Sequence, residues 1–124
     1  MTQSYGRAHL SSGVSISPMK PSTQDITRIS YNGLLYQRGA SEVYAHVGYG
    51  TNWEQSSDYR MTRTAHGFEV SVPILGHTDS LQVCFRDSAN NWDNNHGTNY
   101  TFPVKKVDAK YSLDYEPEVS MRRR

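Results

Sequence analysis

The strongest constraint on this chain is two-residue alternation in short bursts. Phe68-Glu69-Val70-Ser71-Val72 and Leu81-Gln82-Val83-Cys84-Phe85-Arg86 are apolar at every second position, and Val43, Ala45 and Val47 repeat the pattern within Glu42–Gly48. Successive side chains of a strand point to opposite faces, so these runs describe sheets with one face buried and the other exposed. No segment carries a helical apolar period. Further strands are expected at Ile26–Tyr31, Asp58–Thr64 and Tyr100–Val104. Strands recurring roughly every 8–12 residues, with turn residues between them, describe an all-β fold: an antiparallel, immunoglobulin-like β-sandwich. Asn32-Gly33 is a strong signal for a type I′ turn, so a hairpin returning through Leu34-Leu35-Tyr36-Gln37 is expected.

At 124 residues the chain holds one domain, and at 35% hydrophobic with a mean hydropathy of −0.74 its core must be modest. Residues 1–21 have no period and end in Ser17-Pro18-Met19-Lys20-Pro21, which suggests a flexible arm. Residues 22–105 form the folded module, and 106–124 a charged tail. Thirteen basic against twelve acidic residues give a formal charge of +1. That leaves no electrostatic footprint for nucleic acid or an anionic membrane. Arg122-Arg123-Arg124 follows the acidic run Asp114–Glu118 and is expected to be a solvated tail. Met1–Lys20 lacks the apolar core of a signal peptide, so a cytoplasmic location is expected. The one cysteine, Cys84, excludes an intrachain disulfide and is expected to be a half-buried structural thiol.

Between the last two strands lies Asp87-Ser88-Ala89-Asn90-Asn91-Trp92-Asp93-Asn94-Asn95-His96-Gly97-Thr98-Asn99-Tyr100. It holds five Asn, two Asp, one Trp and almost nothing aliphatic, so it cannot bury itself. An indole among amides suits a sugar. The flat ring covers the C–H face of a pyranose, and planar polar groups bond its hydroxyls. The other tryptophan, Trp53, also sits in a polar loop, Thr51-Asn52-Trp53-Glu54-Gln55. His46 projects from the outer face of the strand that feeds that loop.

The runs Val43-Tyr44-Ala45-His46-Val47-Gly48, Phe68-Glu69-Val70, Leu81–Asp87 and Asn91–Tyr100, with Trp53 and Met61 between them, resemble the family 25 carbohydrate-binding modules and the related family 53 starch-binding modules. The resemblance runs from about Ile26 to Val104. It implies a non-catalytic module whose partner is an α-1,4-glucan such as starch, glycogen or a maltooligosaccharide. By position, His46, Trp53 and Trp92 would form its aromatic platform. Asp93, Asn94 and Asn95 would be the candidates for hydroxyl contacts. Because α-1,4-glucan is curved, the two indoles are expected to be inclined rather than coplanar. The resemblance implies no cofactor. Family members usually accompany a starch-degrading enzyme, whereas here the module fills most of the chain.

Three other readings compete. Asp87, Asp93, Asn95 and Gly97 loosely suggest a calcium loop, but the distal bidentate Glu of an EF-hand is missing, and the histidines show no zinc spacing. An enzyme would need two carboxylates held across a cleft, and Asp87 and Asp93 are better explained as loop organisers, so no catalysis is expected. A β-sandwich protein–protein interaction module, with nine tyrosines to furnish an interface, is the alternative to sugar binding.

Overall fold

A computed structural model describes residues 12–76 and 78–106. The chain forms β1 (Val14–Ser17), β2 (Ile26–Tyr31), a single helical turn α1 (Leu34–Gln37), β3 (Val43–Tyr49), β4 (Glu54–Arg60), β5 (Thr62–Thr64), β6 (Gly67–Pro73), β7 (Ser80–Asp87), β8 (Trp92–Asp93) and β9 (Tyr100–Pro103). They make two sheets. One runs β1-β2-β6-β5, and the other runs β4-β3-β7, with β8 and β9 taking successive stretches of the far edge of β7. Every strand pair among the described residues is antiparallel. No described helix is long and apolar enough to cross a membrane.

The two sheets close on one core, as the alternation requires. Val43, Ala45 and Val47 of β3 and Leu81, Val83 and Phe85 of β7 are wholly buried. Facing them are Ile29 and Tyr31 of β2, Phe68 and Val72 of β6, and Val14 and Ile16 of β1. The clearest contact between the sheets is Tyr31 on Phe85, stacked with ring centres 4.0 Å apart and planes 19° apart. Such ring pairs add roughly 0.5–1.5 kcal/mol beyond the area they bury.

Three expectations need correction. Residues 12–21 are not an arm: Val14–Ser17 pairs with Arg28–Tyr31, and Val14 is 0% exposed. The signal was present as Val-Ser-Ile-Ser alternation, but four residues are too few to stand out. At the other end, the Lys105 amide donates to the Pro21 carbonyl, which ties residues 21 and 105 together. The first part of the arm and the tail from residue 107 lie outside the described residues.

Asn32-Gly33 does not make a hairpin. Gly33 has φ −83°, outside the positive-φ region that a type I′ turn needs. Its glycine is required by crowding: a Cβ there would lie 2.5 Å from the Ser12 carbonyl oxygen and 2.8 Å from the Tyr31 ring. Both neighbours of β2 are already taken by β1 and β6, so Leu34–Gln37 has no ladder to join and coils into α1, where the Leu35 amide donates to the Tyr31 hydroxyl. Asp58–Thr64 is likewise two strands. Met61 is 5% exposed, and at that residue the chain crosses from one sheet to the other.

Because Ile16 packs in the core from β1, Ile16→Ala should lower the unfolding free energy by about 2–4 kcal/mol in urea denaturation. A change below about 0.5 kcal/mol, as for an ordinary surface site, would mean that this segment is only loosely docked.

Candidate functional site

The three aromatic side chains singled out from the sequence come together on the outer face of the second sheet. His46 is half-buried on β3, and Trp53 is half-buried in the turn between β3 and β4. Their rings are stacked, with centres 5.3 Å apart and planes 21° apart. Trp92, on β8, meets His46 edge to face, with centres 5.8 Å apart and planes at 88°. The two indoles are therefore steeply inclined to one another, and Trp92 is 46% exposed.

Strand register explains the grouping. His46 lies opposite Cys84 on β7, and the next β7 residue on that face, Arg86, lies opposite Trp92. Trp92 thus stands diagonally across β7 from His46, within reach of a large ring. Trp53 is brought back over β3 by a tight turn in which its amide donates to the Gly50 carbonyl. Its own φ is +54°, a left-handed conformation unusual for a bulky residue and costing of order 1–3 kcal/mol. Gly48 gives the indole its seat: a Cβ on Gly48 would lie 2.4 Å from Cε3 of Trp53 and 3.0 Å from its Cα. Alternation places Gly48 on the face of His46. A missing side chain beside a loop tryptophan is the signal that could have identified this role.

A charged network holds His46. Its Nδ1 is 2.6 Å from Oδ1 of Asp58, directly opposite on β4, and Nη2 of Arg86 donates to Oδ2 of Asp58 at 3.0 Å. The Arg86 guanidinium lies 4.4 Å from the centre of the Tyr44 ring. Partial burial alone would raise the Asp58 carboxyl, but the bonds from His46 and Arg86 outweigh it and hold it below the ordinary carboxylate range. An ionised Asp58 only accepts, so Nδ1 of His46 carries the proton and Nε2 is the nitrogen left for another partner. Neither Asp58 nor Arg86 is an obvious sugar ligand in the sequence. Only the β3–β4 and β3–β7 registers bring them to His46.

Cys84 lies beside His46 and is 6% exposed, more deeply buried than expected. Burial first, and then the nearby Asp58 and Asp93 carboxyls, push its thiol up to about 11, so it is not a reactive thiolate at neutral pH.

The polar members of the site divide differently. Asp93, expected among the hydroxyl-binding residues, is 7% exposed and points inward. Its Oδ2 accepts from the Tyr31 hydroxyl at 2.6 Å and its Oδ1 from the Tyr100 hydroxyl at 2.8 Å. Burial, then the bond to Asp93, raises both phenols well above their ordinary range. In a two-residue strand, neighbours point oppositely, so Asp93 goes in because Trp92 goes out. Asn95 is also committed to the loop: its φ is +56° and its Nδ2 donates to the Asn99 carbonyl at 2.9 Å. Asn90 and Asn99 also have positive φ, which asparagine tolerates better than most residues. Much of the asparagine richness therefore serves the backbone. Asn94 stays exposed, with its Oδ1 accepting from the Gly97 amide at 2.9 Å. Asp87 organises the loop as expected, taking the Ala89 and Asn91 amides on Oδ1 and the Asn91 side chain on Oδ2. Among the described residues no group of three or more His, Cys, Asp or Glu is placed to hold a metal ion.

Two outcomes follow. Asp93→Ala should cost about 2–4 kcal/mol of stability by denaturant titration, because two buried hydroxyls lose their acceptor; a neutral result would mean that the loop does not depend on it. Asp58 has a depressed folded-state pKa, so its stabilising effect is complete above the unfolded value of about 3.9 and is lost as pH falls through the lower folded value. Urea midpoints of Asp58→Asn should therefore lie below those of the native protein near neutral pH, and the gap should close as pH falls below the unfolded value of about 3.9 and on through the lower folded value. A gap that stays constant with pH would show that the ionised group is not what stabilises.

Residues 27–82, somewhat under half of the chain, match the model of a starch/carbohydrate-binding module, family 53. No curated protein and no solved structure matches significantly. The matched stretch runs from β2 into β7 and contains His46 and Trp53, while Trp92 lies beyond it and joins the site by geometry. The chain is thus similar, over its central strands, to a family of non-catalytic starch- or carbohydrate-binding modules.

Proposed function

We propose that the domain binds α-1,4-glucan, of starch, glycogen or maltooligosaccharide type, without catalysing a reaction on it, and that it belongs with the family 25 and family 53 modules. The observation that carries this reading is the inclined platform. His46 lies along Trp53 and stands edge-on to Trp92, on a sheet face that leaves Trp92 open. A flat ribbon such as a β-1,4-linked chain meets coplanar rings, whereas a curved chain turns successive sugar faces through an angle. The family 53 match over residues 27–82 supports the carbohydrate class independently of the ring geometry.

In this reading Trp53 and Trp92 each cover the C–H face of one glucose unit, and His46 completes the surface between them. Nε2 of His46 is available to a hydroxyl, and Asn94 is the exposed amide of the Trp92 loop. Asp93 and Asn95 act indirectly, by holding that loop. Each stacked ring contributes by removing apolar area from water at about 25 cal/mol per Å². Few rings are covered, and association itself is costly, so affinity at this platform alone is weak.

Trp92→Ala should reduce binding to soluble starch about tenfold or more, a loss of at least about 1.4 kcal/mol, and leave the urea midpoint nearly unchanged. Retention on insoluble starch, glycogen, cellulose and xylan, with tryptophan fluorescence titrated by maltooligosaccharide, supplies the comparison. Binding to cellulose alone would refute the α-glucan assignment. Binding to none of the four, with no fluorescence change, would favour a protein-interaction module.

A further inference from the structure

Trp92 has a second neighbourhood. A groove of about 330 Å³, lined by Trp92 but not by His46, lies between α1 and the loop after β8. That is at the small end of the range for ligand pockets, roughly 300–1,000 Å³. Its walls include Leu34 and Gln37 from α1, and Trp92, Asn94 and His96 from the other side. The large exposed hydrophobics among the described residues are Met19, Ile26, Leu34 and Trp92, and two of these four flank this one groove. Leu34 is 41% exposed on a helical turn whose other apolar residue, Leu35, is 2% exposed. The turn therefore buries one leucine and presents the other.

The polar groups in the groove retain capacity for hydroxyls. Asn94 uses its Oδ1 to accept from the Gly97 amide, and its Nδ2 has no partner among the described residues. Gln37 donates from Nε2 to the Asn32 carbonyl at 3.3 Å, and its Oε1 has no partner among the described residues. A spare amide NH2 group on Asn94 and a spare amide carbonyl on Gln37 thus stand on opposite walls beside an indole and a leucine. That combination suits a sugar ring, whose hydroxyls both give and take. It is a poor match to a purely apolar ligand, and the groove has no cationic Lys or Arg to attract an anion.

We propose that this groove is a further sugar subsite, continuous with the platform, and that Trp92 is the wall the two share. The glucose unit that follows the one stacked on Trp92 passes over the edge of the indole and settles between Leu34 and Asn94, with Gln37 taking a hydroxyl proton in a hydrogen bond. This assignment rests on the α-glucan reading of the platform and extends it. It also accounts for the edge position of Trp92: an indole at the end of a two-residue strand can have sugar on both sides.

Two measurements test it. The first follows the Trp53 and Trp92 indole N–H signals and the Gln37 and Asn94 side-chain amide signals by NMR, while the protein is titrated with maltose and then with maltoheptaose. The indoles should move with either sugar, and the Gln37 side-chain amide should move only with maltoheptaose. The second compares Leu34→Ser/Gln37→Ala with the native protein by calorimetry. Affinity for maltoheptaose should fall about five- to tenfold, while affinity for maltose stays within about twofold. Movement of the indoles at every chain length, without movement of Gln37, overturns the subsite and leaves the platform intact. If no indole responds to any maltooligosaccharide, the α-glucan reading fails and the groove assignment fails with it. The titration uses native protein, so it decides between these outcomes even if the double variant does not fold.

Discussion

The arrangement depends on where one carboxyl group sits. Asp93 is buried between the hydroxyls of Tyr31 and Tyr100, which come from the first sheet and from β9 of the second. Tyr31 in turn stacks on Phe85 of β7 and receives the Leu35 amide of α1. This one side chain therefore ties both sheets, the helical turn and the asparagine-rich loop to a common point. An unmade bond at such a site would cost far more than a surface contact, so the loop is held closely despite its polar composition. Trp92 is the residue immediately before Asp93, and its outward position is a consequence of that buried anchor.

His46 is fixed by a different principle. Its Asp58 partner is only partly screened from water, so the bond contributes little to overall stability. What it supplies is orientation. Asp58 is held on its other oxygen by Arg86, and Arg86 rests on Tyr44, so the imidazole is tethered at Nδ1 while its face lies against Trp53. Gly48 removes the side chain that would lift Trp53 off the strand. The ring surface is thus arranged before any ligand arrives, which reduces the ordering cost of a weak interaction.

The strands were legible because burial imposes a period of two, and Trp53 and Trp92 stood out because neither has strand-type apolar neighbours, while His46 was singled out by its place on the strand that feeds the Trp53 loop. What misled was chemistry with two uses. Asn32-Gly33 has the composition of a type I′ turn, but its glycine answers a steric demand from Ser12 and Tyr31 rather than a need for positive φ. Asp93 and Asn95 look like hydroxyl-binding groups, and they are hydrogen-bonding groups, but their partners are internal. A polar side chain in a loop does not reveal whether it faces solvent or its own backbone. That is decided by long-range register, in this case by Phe85 and Arg86 pairing with Asp93 and Trp92. Asp58 and Arg86 were hidden for the same reason, since their role exists only across strands.

The angle between the indoles is also a property of the sheet. Trp53 lies against β3, on the strand face that Gly48 leaves bare, and its ring stacks on that of His46 with planes 21° apart. Trp92 rises from an edge strand with no further strand beyond it, among the described residues, to lean on, and meets His46 at nearly a right angle. To make the tryptophans coplanar, either Gly48 would have to carry a side chain that tips Trp53 upward, or another strand would have to lie outside β8 and press Trp92 flat. Neither change is a small adjustment of a loop. The inclination is therefore anchored in the bare face at Gly48 and in the edge strand that carries Trp92, and a ligand that stacked on both rings would have to present two faces at an angle.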